Sequence, residues 1–330
     1  MSRFSDFGNA LYSGQRSFDF VGRRKFGFTA SVVVALAAIA VTFGLQGGFN
    51  FGIEFKGGSE FRVTTTSATA EATAVKAVDS VLGAKAQVNV AKVGTDGLRI
   101  QTERLNADVS EQVRQALATG FSVPGNQVAS SFVGANWGSD VTSKALSGLL
   151  WFIALAAVAM ALYFRTIKMS AAALIALVHD LVITAAIYGS FGFEVTPAAV
   201  IGFLTILGYS LYDTVVVFDK IRENTIGSMR DMSKTFGQQV NLAVNQTLVR
   251  SINTSVVAAL PVASILFIGA FVLGAGTLRD ISLALLIGIA VGTYSTLFLA
   301  APLYAGWRSK ESAISAADKK IVSAQERAAA

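Results

Sequence analysis

Apolar residues along this chain gather into six long runs, at residues 26–45, 145–164, 169–191, 197–218, 251–273 and 281–303. A helix needs about 20 such residues to cross a bilayer core of roughly 30 Å, so each run predicts a membrane-spanning helix. Four runs carry no charge at all. The third holds His179 and Asp180, and the fourth holds Asp213. Pro197 opens the fourth run, where a first helical turn has no use for the missing N–H.

Between the first two runs, residues 46–144 change period. Residues 60–66 (EFRVTTT) read as a strand, and the spacing of Val75, Val78 and Leu82 predicts a helix over 70–82. Residues 87–93 alternate with period two, as do 98–102 after the turn Gly94-Thr95-Asp96-Gly97, which predicts a hairpin with a four-residue loop. A helix over 108–117, with Asp108 or Ser110 as its cap, and a strand over 128–133 complete the set. Strand–helix–strand–strand–helix–strand is the split, ferredoxin-like pattern. Such a domain carries no chemistry by itself, and this one has no paired carboxylates or Ser/His/Asp set. Binding or mechanical coupling is its expected role. Farther on, Val240, Val244 and Leu248 recur every four residues, which predicts a surface helix running into the fifth span.

Composition agrees with the membrane reading. Of 330 residues, 53% are hydrophobic and 15% charged, against about 25% charged in typical globular chains. There is no cysteine and one histidine, which excludes disulfides, thiolate chemistry and a conventional zinc site. The net charge of +6 falls unevenly. Seventeen Lys and Arg lie in the N-terminal arm, the turn between the second and third spans, residues 219–250 and the tail. One, Arg279, lies in the short connections on the other side. Basic loops stay inside, so both termini and residues 219–250 are expected to face the cytoplasm. The charge is thus a topology signal and not a nucleic-acid surface. The first run follows Arg23-Arg24-Lys25, is longer than a signal-peptide core and lacks an A-x-A site, so it reads as a retained anchor.

The expected fold is an α-helical membrane protein with six transmembrane helices, plus an extracytoplasmic α+β ferredoxin-like domain between the first and second. Its parts are a cytoplasmic arm (1–25), the first helix (26–45), the outer domain (46–144), a five-helix bundle (145–307) with cytoplasmic loop 219–250, and a cytoplasmic tail (308–330).

No P-loop, H-E-x-x-H or G-x-S-x-G motif occurs. Polar chemistry inside the membrane remains, and ionisable residues there are costly enough to be functional candidates. Asp213 lies about 24 Å along its helix from Pro197 at 1.5 Å per residue, toward the cytoplasmic third. Tyr209 and Ser210 share its face. It either exchanges a proton or is paired permanently across helices. His179 and Asp180 lie near the midplane and point about 100° apart, as adjacent helical residues do; they serve a relay or helix–helix bonding. Thr293-Tyr294-Ser295-Thr296 brings hydroxyls to a similar depth, as a water path or as packing glue. Arg250 either reaches a carboxylate of a neighbouring span or snorkels to the interface. The proton-relay candidates are therefore Asp213, Asp180, His179, Arg250, Tyr209 and Tyr294, with no cofactor or metal implied.

Residues 208–224 (GYSLYDTVVVFDKIREN) closely resemble the signature of SecF-type members of the SecD/SecF family of bacterial protein-export membrane proteins. Residues 52–58 (GIEFKGG), His179-Asp180, 245–250 (NQTLVR) and 292–295 (GTYS) support the likeness. Tyr212 stands where the family usually has Asn, Glu54 replaces Asp, Lys56 replaces Thr and Lys220 replaces Arg. None of these removes an ionisable group from the membrane. The resemblance implies a non-enzymatic accessory subunit of the Sec translocon in the cell membrane. It would pair with SecD, associate with SecYEG, and use protons moving down the proton motive force to help pull a preprotein across. The implied assembly is similar to resistance–nodulation–division transporters, and six spans with one outer domain make half of it. Two other readings stay open: a free-standing proton-coupled exporter of small molecules, and an intramembrane hydrolase using Asp213 and Asp180.

Overall fold

The computed structural model describes residues 3–64, 70–84, 86, 88–93, 97–164, 166–226, 233–272 and 275–329. An N-terminal helix α1 (Arg3–Tyr12) precedes the first span, α2 (Arg24–Gly44). A single turn, α3 (Ile53–Lys56), then leads into the α+β domain. That domain comprises β1 (Gly58–Thr64), α4 (Ala70–Leu82), β2 (Val88–Val93), β3 (Gly97–Thr102), α5 (Ala107–Gly120) and β4 (Val128–Val133). The remaining spans are α6 (Ala135–Phe164), α7 (Ile167–Ser190), α8 (Pro197–Ile226), α9 (Phe236–Leu266) and α10 (Gly276–Ser295). A π-helical stretch, Thr296–Ala300, carries the last span into α11 (Ala301–Arg308), and α12 (Ser312–Ala329) ends the chain. Among the described residues, six helices are long and apolar enough to cross a membrane.

The four strands form one antiparallel sheet in the order β2-β3-β1-β4, the arrangement of a split βαβ domain. Phe61 pairs with Ile100 and Val63 with Leu98, and these side chains meet Ala74, Val78, Val113 and Leu117 of the two helices in a buried core. Their neighbours Glu60, Arg62, Arg99 and Gln101 point to the opposite face, as a period of two demands.

Several boundaries differ from the sequence reading. β3 begins at Gly97, paired with Val93, so the connection is one residue shorter than expected; Gly94, Thr95 and Asp96 lie outside the described residues. The cap of α5 is Asn106, whose side chain accepts from the Val109 amide at 2.8 Å, and not Asp108 or Ser110. α6 starts ten residues before the apolar run does, since polar residues continue the helix once it leaves the hydrocarbon. Within residues 219–250 the helix expected from Val240, Val244 and Leu248 is present as the first part of α9, which starts at Phe236 and is capped reciprocally by Thr235 and Gln238, while α8 runs on to Ile226. Gly57 (φ +77°) and Gly58 (φ +155°) adopt backbone angles open to glycine, and a Cβ on Gly58 would sit 2.7 Å from the Thr102 carbonyl oxygen.

In the bundle, α8 and α10 pack closely, and both lie against α7 and α9. Apolar side chains such as Trp151, Leu155 and Val158 of α6 and Val256, Val257 and Leu260 of α9 are exposed, as lipid-facing positions should be. A buried apolar cluster ties the ends of α7, α8, α9 and α11 to Leu11 and Phe20 of the arm, and so joins α1 to the bundle.

Candidate functional site

Three helices of the bundle bring polar groups together. Ser210, Asp213 and Thr214 share a face of α8 by their three- and four-residue spacing, and all three are buried. Opposite them, α7 supplies His179 and Asp180, while α9 supplies Ser251 and Ser255.

Asp180 is fully buried. One carboxylate oxygen accepts from the Ser210 hydroxyl and the other faces His179 Nδ1 at 3.1 Å. His179 Nε2 in turn meets the Ser31 hydroxyl of α2. A hydroxyl–imidazole–carboxylate–hydroxyl line therefore crosses α2, α7 and α8. It is satisfied when Nδ1 carries the proton toward Asp180 and Nε2 accepts from Ser31. Gly292 of α10 lies against it: a Cβ there would stand 3.0 Å from Ser210 Cβ and 3.6 Å from Asp180 Oδ2.

Asp213 differs. It is 5% exposed. Its Oδ1 accepts from the Ser251 hydroxyl at 2.8 Å, while its Oδ2 is buried with no hydrogen-bond partner among the described residues. A buried carboxylate lacking half its partners is expensive to keep charged. One turn along α9 from Ser251 lies a second group of hydroxyls, joined to Ser251, among the described residues, only through its main-chain carbonyl. Ser255 donates to the Ser251 carbonyl at 2.8 Å, pairs with Thr293 at 2.5 Å and accepts from Tyr209 at 3.3 Å. Thr214 also pairs with Thr296 at 3.0 Å, at the start of the π-helical stretch.

Of the six residues singled out from the sequence, His179 and Asp180 touch each other, and Tyr209 donates to Ser255, one turn of α9 beyond the Ser251 that holds Asp213. Arg250 and Tyr294 are elsewhere. Arg250 donates to the Tyr212 hydroxyl at 3.2 Å at an exposed position, and no carboxylate among the described residues receives it. Tyr294 donates to the Gly27 carbonyl at 2.7 Å, binding α10 to α2. Sequence reasoning missed Ser31, Ser251 and Ser255. Ser251 and Ser255 do have a signal, four residues apart just beyond Arg250; one serine in an apolar run has none.

A second polar cluster, also missed, sits where the sheet meets the α7–α8 turn. Glu194 of that turn accepts from Arg99 and from Gln101, the latter at 2.9 Å. Glu60 accepts from Gln101 at 3.2 Å and from Arg62 at 2.7 Å. Glu54 lies beside them with one oxygen buried and without a hydrogen-bond partner among the described residues. Burial, the largest effect, pushes the Glu54 carboxyl above its ordinary range, and the charges of Glu194 and Glu60 add to this.

Comparison with known proteins bears on these groups. Residues 109–310 match the model of the protein export membrane protein SecD/SecF C-terminal family, and residues 43–69 match the SecD/SecF GG motif. The chain belongs to the SecD/SecF family. Within it, the protein translocase subunit SecF of Streptomyces coelicolor is 41% identical over 331 residues, covering 100% of this chain and 87% of the relative. The protein translocase subunit SecDF of Thermus thermophilus is 30% identical over 90% of this chain but only 39% of its own length. The crystal structure of SecDF, a translocon-associated membrane protein, matches with a TM-score of 0.77 at 28% identity, over 89% of this chain and 39% of that one. Both carboxylates of the membrane site and the GG segment fall within the stretches matched to the SecD/SecF models.

Proposed function

We propose that this chain is the SecF subunit of a SecD–SecF assembly that uses the proton motive force to promote preprotein export through SecYEG across the cytoplasmic membrane. In this reading the chain has no enzymatic turnover of its own. Its termini and residues 219–250 are cytoplasmic, following the seventeen-to-one division of basic residues. The α+β domain, within residues 46–144, then faces outward and meets the preprotein. The relative named SecDF is more than twice as long as the part this chain covers, which leaves room for a SecD half.

The observation that carries the proton reading is the Asp213 carboxylate, bonded through one oxygen to Ser251 and buried without a partner at the other. Such a group is stable as the neutral acid, or as the anion once a donor or water reaches Oδ2. A conformational change that switches between the two environments loads and unloads a proton, and the difference in free energy drives movement. Tyr209, Ser255 and Thr293 place hydroxyls one turn of α9 away from it; His179 and Asp180 form a separate line.

Asp213→Asn keeps the size and one hydrogen bond but cannot ionise. It should assemble with SecD and SecYEG, retain the ATP-driven part of export and lose the part abolished by a protonophore; Asp213→Glu should keep some of it. Preprotein translocation into inverted vesicles, with and without protonophore, measures this. A normal protonophore response from Asp213→Asn would make Asp213 structural.

A further inference from the structure

A two-layer α+β domain ordinarily leaves one sheet face to water. Here that face carries Glu60, Arg99 and Gln101, pointing away from α4 and α5, yet they are only 4%, 8% and 6% exposed. The turn between α7 and α8 lies against Arg99 and Gln101. The two oxygens of Glu194 are held separately, one by Arg99 and one by Gln101. These two donors sit two residues apart on β3 and so share a face. Two-point holding fixes direction as well as position.

The same turn is bolted on its other sides. The Val195 amide donates to the Asn50 carbonyl at 2.7 Å, and the Gly52 amide donates to the Val195 carbonyl at 2.9 Å. Tyr188 donates to the Glu194 carbonyl at 3.1 Å, and Thr196 donates to Asp280 at 3.0 Å. Glu194 lies three residues before Pro197, where α8 begins. From there α8 is one continuous helix to Ile226, carrying Ser210 and Asp213.

We propose that Glu194, gripped by Arg99 and Gln101, is the joint through which movement of α8 is delivered to the outer domain, making Arg99 a positioning residue for force transfer. The proposal rests on the proton-coupled reading of Asp213. α8 is then a rod: the proton acts on it at Asp213, and its outer end is fastened to the sheet. The chemistry suits a joint that holds throughout the cycle. Arg99 is buried with the carboxylates of Glu194, Glu60 and Glu54 nearby, and separating it from Glu194 would leave uncompensated buried charge. Without the joint, the sheet face is tied to the bundle only by the backbone on either side of the domain, before β1 and from β4 into α6, and by the bonds of Val195 to Asn50 and Gly52.

The test uses the full chain assembled with its partners. Arg99→Met and Glu194→Gln should still let protons move yet export only at the rate the unmodified protein shows with a protonophore. Arg99→Lys, which keeps the cation, should retain part of the difference. The natural chain has no cysteine, so Gln101→Cys combined with Glu194→Cys should be uncoupled when reduced and regain export once a short thiol cross-linker bridges the pair. A merely structural role would not be rescued by that bridge. Full export from the unbridged variants, loss of proton movement together with export, or no recovery on bridging overturns the joint. Asp213→Asn answers separately for the proton reading. If it loses its protonophore response while the joint variants export normally, the reading stands and the joint falls.

Discussion

Glu54 and Glu111 are the same residue in opposite circumstances. Glu111 is exposed on α5, and hydrogen bonds from Arg114, then Gln115, pull its carboxyl down to about 2. Glu54 is driven the other way by burial and by Glu194 and Glu60. The folded protein therefore holds the Glu54 proton to a higher pH than the unfolded chain does. Its cost is absent well below the ordinary value of 4.5, grows as the pH rises through it, and is complete above the folded value. Glu54→Gln should accordingly raise the thermal stability of the detergent-solubilised protein at pH 7, and the gain should vanish as the pH is lowered past 4.5. Unchanged melting at pH 7 would show that the buried oxygen has found a donor.

At the level of elements, the contact between α8 and α10 depends on glycine. A Cβ added at Gly288 would lie 2.8 Å from Ile206 Cγ2 and 2.9 Å from Ile206 Cβ, both on a stiff β-branched side chain of α8. At Gly292 the nearest atom would be Ser210 Cβ at 3.0 Å, with the small hydroxyl at 3.1 Å. Overpacking costs about 1–3 kcal/mol. Gly288→Ala should fall toward the upper end, because Ile206 cannot turn aside. Gly292→Ala should cost less stability but disturb the Ser210–Asp180 bond. Thermal unfolding of the two variants side by side decides the order, and equal melting points would contradict it. The π-helical stretch at Thr296–Ala300 belongs to this level too: it falls where Thr296 meets Thr214, and local periodicity contains no hint of it.

For the whole molecule, the charge asymmetry fixes an expected topology. In intact cells a cysteine introduced at Gln115, exposed on α5, should react with an impermeant thiol reagent, and one at Ser312, exposed at the start of α12, should react only after lysis. Labelling of Ser312→Cys from outside would invert the arrangement and detach the α+β domain from exported substrates. The architecture also places the two polar sites at different points of one helix. The Asp213 site lies deep along α8, and the Glu194 cluster lies just before its first turn.

Much of this was legible in one dimension. Six spans could be read because a bilayer demands about 20 apolar residues in a row, and the α+β order because alternation with period two and apolar spacing of three to four residues point to different elements. The cost of an ionisable group in hydrocarbon marked Asp180, His179 and Asp213 without any knowledge of their neighbours. Which groups meet was decided by tertiary structure. Asp180 is satisfied by Ser210 and His179, and Asp213 is left with a bare oxygen, because helix packing sets which faces oppose. Neither outcome follows from spacing within a single helix. The Arg99–Glu194 contact joins residues 95 positions apart. An arginine on a strand's polar face looks like any solvated residue until another segment folds over it. Hydrophobic pattern is a local property of the chain, whereas the burial of a charge is a property of whatever comes to lie against it.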